Sequence, residues 1–259
     1  MARGGTYGGP MKGLFLGMAL VLGTSAAYAD LFDLFKKKPS SGTNAGLAGF
    51  SENQVADALK QALGNGVTTA ITNLGKPGGF LDNPKVKIPM PEKLASVEKA
   101  LRSMKQDKYA DEFVTTMNRA AEAAVPEALP IFTDALKSMS IEDAKKLISG
   151  GDDSATQFFR AKGEKQIQEK MMPIIKEATA KTRVTSAYKK VLDQAAGGGG
   201  SFLNKLKVNT SSLDVDSYVT QKASDGLFKM IAEEEKRIRE NPAARTTQLL
   251  ENVFGAIKK

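Results

Sequence analysis

Residues 75–91 read GKPGGFLDNPKVKIPMP, and neither a regular helix nor a ladder-forming strand can be written through them. Three glycines and four prolines fall in this stretch, and the backbone donor is missing at Pro77, Pro84, Pro89 and Pro91. The segments on either side are strongly periodic. A chain of this kind has to fix the shape of the irregular segment by contacts rather than by backbone ladders.

Almost everything after residue 50 reads as helix. Ser51 and Gln54 make a capping box, and Val55, Leu59, Leu63, Val67, Ile71 and Leu74 form an apolar stripe over about 52–74, with Gly75 as the stop. Gly64 and Gly66 each cost about 1 kcal/mol against Ala in a helix interior, so they mark a kink or a close helix crossing. Pro91 opens a helix to about Lys105, with Leu94, Val97, Leu101 and Met104 on one face. The next runs from about Lys108 to Ala124 and carries Phe113 and Met117. After Pro126 and Pro130, Ile131, Phe132, Ala135 and Leu136 make a short helix, and a Ser140/Asp143 cap begins another that reaches Ile148.

Beyond Gly150-Gly151, Asp152-Asp153 caps a helix bearing Phe158, Phe159, Ile167 and Met171, with a kink at Pro173. Ile174, Ile175 and Ala178 continue its apolar face, and Val184, Tyr188, Val191 and Leu192 fit one more helix. Gly197–Gly200 reads as a flexible linker. A long helix follows from Asp214 or Asp216 through Ile238, and Asn241-Pro242 restarts the chain for a last one with Leu249, Leu250, Val253 and Phe254. No stretch alternates with period two for long enough to be a strand. The expected class is all-α, a bundle-like single domain over 51–259 with about eight to ten helices.

The N-terminus carries an export pattern. Met1–Pro10 have none of their own, and Met11-Lys12 looks like the true start. Gly13–Gly23 is an apolar run right for a signal-peptide core and too short to span a bilayer. Ala27-Tyr28-Ala29 then offers a cleavage site, so residues 1–29 are expected to be a Sec-type signal peptide that delivers a soluble chain to the periplasm. Residues 30–50 form a flexible mature N-terminus. Leu31, Phe32, Leu34 and Phe35 ahead of Lys36–Lys38 could touch an anionic membrane surface as a short amphipathic turn. No later segment is apolar enough to cross a membrane.

Composition excludes more than it selects. The chain has no His and no Cys. It therefore has no imidazole base, no Ser-His-Asp or Cys-His nucleophile, no histidine or thiolate metal site and no disulfide. An enzyme here would rely on carboxylates, Lys, Tyr or a metal held by oxygen. The formal charge of +8 suits anionic partners, but no Lys/Arg run with interleaved aromatics suggests a nucleic-acid site.

Two groups of residues could form a site. Asn118, Arg119 and Glu122 sit among Ala120, Ala121, Ala123 and Ala124, whose small side chains permit close helix approach and would draw the polar groups inward. Buried there, they need partners. Asp143, Asp153, Arg160, Asp225, Glu233 and Arg245 are the candidates to complete a network, which reads as a polar pocket or as interhelix salt bridges. The second group is the irregular segment itself. Lys76, Lys85 and Lys87 make it basic, while Phe80, Val86, Ile88 and Met90 make it apolar, a mixture suited to an anionic amphiphile or an envelope protein, or to a lid packed down over the core with a binding edge, which is the favoured reading. Gly150-Gly151-Asp152-Asp153 resembles a helix cap more than a calcium loop. The 75–79 glycines lack the ending of a phosphate loop. Glu233–Glu235 with Lys236, Arg237 and Arg239 reads as a solvated helix face. No cofactor or metal is expected.

Several long strings carry a family resemblance: LGKPGGFLDNPKVKIPMPEKL at 74–94, MNRAAE at 117–122, FTDALKSMSIEDAKKLI at 132–148, ATQFFR at 155–160, SYVTQKASDGLF at 217–228 and EEEKRIRENPAARTTQLLENVFG at 233–255. Together they resemble an exported bacterial family known only as domain of unknown function 4197, over roughly Glu52 to Gly255. The resemblance implies an all-helical periplasmic domain without an established activity. The four-glycine linker and Ser224, where a more apolar residue is expected, depart from the pattern. The expected function is that of a non-enzymatic binding or structural protein of the envelope. The alternatives are a carboxylate- and Arg-dependent envelope hydrolase and a peripheral binder of anionic membrane.

Overall fold

The computed structural model of the chain describes residues 51–181 and 214–240. The expected signal peptide, the 30–50 segment, the helix expected around 184–192, the expected 197–200 linker, Arg245 and the expected last helix all lie outside the described residues.

Helix α1 spans Glu52–Gly75, and its capping box forms as the sequence demands: Ser51 Oγ accepts from the Gln54 N–H while Gln54 Oε1 accepts from the Ser51 N–H. The helix runs unbroken through Gly64 and Gly66. A Cβ at Gly66 would meet Ile238 Cδ1 at 3.4 Å, an ordinary contact, so this buried glycine lies at a helix crossing that alanine would also fit, and it makes no kink. After the irregular segment, a 3-10 turn at Glu92–Leu94 leads into α2, Ala95–Ser103. This helix ends sooner than its apolar pattern suggests. Lys105 adopts φ of 57°, its N–H bonds Arg102 O, and the Gln106 N–H bonds Leu101 O at 2.8 Å. That is a Schellman closure. Met104, assigned from its spacing to the apolar face, falls at the helix end and is 44% exposed.

Helix α3 spans Asp107–Ala124 and passes through a 3-10 segment, Val125–Ala128, into α4, Leu129–Lys137. Pro126 and Pro130 each stand in a first turn, where the missing N–H has no partner to lose, so the chain bends and continues. Helix α5, Ile141–Ser149, starts from the Ser140/Asp143 capping box. Helix α6, Ser154–Lys181, continues through Pro173, and α7 spans Val215–Glu240. The described residues are all-α.

Helix α6 packs against α7, α3 and α4, while α1 packs against α7, α5 and α4. At their centre Phe132 meets Phe159 edge-on at 5.2 Å and Phe228 at 5.9 Å. Each such pair contributes about 1 kcal/mol beyond its burial. Among the described residues no helix is long and apolar enough to cross a membrane.

Candidate functional site

The irregular segment between α1 and α2 lies as a strap against α3 and α7. Its apolar side chains point inward: Phe80, Val86 and Ile88 are all buried. The fit depends on glycine in the wall, since a Cβ at Gly226 of α7 would stand 2.8 Å from Phe80 Cε1 and 3.2 Å from Val86 Cβ. Gly78 turns the strap with φ of 87°, a conformation that L side chains rarely adopt.

The strap's backbone donors from Gly78 to Ile88 divide into two sets. Those of Gly79, Asp82, Asn83, Val86 and Lys87 bond carbonyls within the strap, and that of Lys85 bonds Asn83 Oδ1. The rest are taken by two side chains of α3. Glu122 Oε1 accepts from the N–H groups of Gly78, Phe80 and Leu81, each at 3.1 Å. Asn118 Oδ1 accepts from the Ile88 N–H at 2.8 Å while its Nδ2 donates to Ile88 O at 2.9 Å and to Val114 O at 2.7 Å. Every backbone N–H from Gly78 to Ile88 thereby has an acceptor, as burial requires. Asn118 and Glu122 stand in for the ladder that the prolines forbid. Glu122 Oε2 pairs with Arg119 Nη1 at 2.6 Å, and the arginine side chain stays 44% exposed.

From α7, Lys229 Nζ donates to Lys85 O at 2.9 Å, Glu233 pairs with Lys85 Nζ at 2.7 Å, and the Tyr218 hydroxyl donates to Pro89 O at 3.1 Å. Burial, with Glu92 near, pushes the Tyr218 phenol above its usual pKa. The strap's outer side is left with Lys76, Pro77, Asp82, Pro84, Lys85, Lys87 and Pro89, all exposed.

The polar residues proposed from sequence do not converge. Asn118, Arg119 and Glu122 meet at the strap. Asp143 caps α5, where the N–H and hydroxyl of Ser140 hold its carboxyl below the usual carboxylate range. Asp153 is exposed and bonds the Gln157 side chain. Arg160 stacks on Phe228 at 4.4 Å, pairs with Glu164 and comes within 3.8 Å of Asp225. These are separate clusters rather than one pocket.

One buried centre was missed. Glu235, read as part of a solvated face, is 4% exposed. Its carboxylate accepts from the N–H groups of Ala155 and Thr156 at 2.9 Å each and from Thr156 Oγ1 at 2.8 Å. It therefore takes the first-turn amides of α6 that Asp152-Asp153 was expected to cap. Arg239 closes the cluster on Glu235 Oε1 at 2.9 Å and also donates to Leu147 O and Ser154 Oγ. The signal was available, since Ile231, Glu235 and Ile238 share the helical spacing of the buried stripe.

The arrangement is suited to fastening. The two strongly buried carboxylates among the described residues, Glu122 and Glu235, are each engaged by backbone amides and an arginine. Among the described residues no group of three or more Asp or Glu is placed to hold a metal ion. Ser224 is fully buried, and its hydroxyl has no hydrogen-bond partner.

Compared with known families, residues 49–255 match the model described as "Protein of unknown function (DUF4197)". No curated protein and no solved structure matches the chain.

Proposed function

The chain belongs to the DUF4197 family of unknown function, and from that premise we propose that it is a non-enzymatic protein of the bacterial periplasm that presents the strap as a fixed binding surface. The observation that carries this reading is the fastening of the strap by Asn118 and Glu122, which sets its lysines outward on an ordered backbone. A surface ordered before the encounter loses less conformational entropy on binding. Phe80 and Ile88 are core residues here, so the recognition chemistry lies with Lys76, Lys85 and Lys87, and the partner is an anionic envelope component rather than an amphiphile taken up by apolar contacts. The hydrolase alternative is disfavoured by the engagement of Glu122 and Glu235.

The proposal extends to the apolar run of residues 13–23 as an export signal cleaved after Ala29 and to a complete domain of about eight to ten helices, including those read around 184–192 and 242–254. Peripheral membrane contact through Leu31–Lys38 is a separate reading, and failure to co-sediment with anionic vesicles at low salt would remove it. The direct experiment is mass spectrometry of what co-purifies with the native periplasmic protein and with its Lys76→Gln/Lys87→Gln variant, which leaves the Lys85–Glu233 pair intact. The reading expects an anionic component lost from the variant at unchanged melting temperature. An identical set of co-purifying molecules would overturn it.

A further inference from the structure

We draw no further inference here: the strongest candidate, the open groove of about 620 Å³ between α6 and α7 floored by Met172 and Pro173 and rimmed by Lys165 and Lys176, carries nothing because its mixed charges favour no one occupant and nothing in the structure shows what covers it.

Discussion

Glu122 and Glu235 are two buried carboxylates on two helices, each gripping another segment's backbone and each paired with an arginine one turn away, yet they do different work. Glu122 spends a single oxygen on three strap amides and the other on Arg119, whose side chain reaches solvent. Glu235 uses both oxygens on the first turn of α6, and its Arg239 is only 13% exposed. The strap has no ladder of its own, so Glu122 substitutes for secondary structure. Helix α6 already holds itself, so Glu235 completes a terminus and neutralises a buried cation. Geometry that looks alike thus fixes an irregular segment in one place and joins two regular ones in the other.

The contrast can be broken most forcefully by truncation. Glu235→Ala takes a buried carboxylate away from two first-turn amides of α6 and from the nearly buried Arg239, and should cost about 3–5 kcal/mol in urea unfolding. Glu122→Ala leaves three strap amides without an acceptor, but Arg119 can turn to water, so the expected loss is smaller, about 2–3 kcal/mol. Equal losses would erase the distinction between the two arginines.

Isosteric replacement sharpens it. In Glu122→Gln the amide oxygen can keep the three N–H groups, and Arg119, to which the NH2 offers no acceptor, can turn to water, at a loss of about 1 kcal/mol. In Glu235→Gln either orientation sets an NH2 against a backbone donor, and a loss of about 2–3 kcal/mol is expected. A Glu122→Gln variant less stable than Glu235→Gln would refute the division of oxygens described above.

The strap's inner face can be probed from the opposite wall. Gly226→Ala should destabilise by roughly 1–3 kcal/mol through the Phe80 ring. Phe80→Leu placed on top should recover part of that, because the two positions touch and their effects should not add. Full additivity in calorimetry would mean that the ring does not seat on α7. The smallest effect expected is a gain: Ser224→Ala removes an unpartnered buried hydroxyl in a helix and should stabilise by about 1 kcal/mol.

The same pair shows which features the sequence made readable. Asn118 and Glu122 stood out because alanines on either side let a helix approach closely, so polar groups between them had to be buried and used. Glu235 was hidden by its neighbours: flanked by Glu233, Glu234 and Lys236 it looks like one more surface charge, and only its place on the Ile231–Ile238 stripe argued otherwise. Helices and caps were legible because they are local, as at Ser51 and Ser140, whereas Gly75, read as the stop after the first helix, is its last residue and Lys76 caps it in an extended conformation. The inward turn of Phe80 and Ile88 was legible only as one of two choices, a lid on the core or a binding surface, since the walls that decide it, α3 and α7, arrive from distant parts of the chain. The early end of α2 was hidden for a different reason, because a lysine rather than a glycine takes the left-handed position at Lys105.

Amide hydrogen exchange across residues 78–88 tests the central claim that two α3 side chains replace the strap's missing ladder. The amides of Phe80, Leu81 and Ile88 should be protected in the native protein as strongly as helix amides. Asn118→Ala should release Ile88 alone, and Glu122→Ala should release Gly78, Phe80 and Leu81. Rapid exchange of these amides in the unmodified protein would contradict the account.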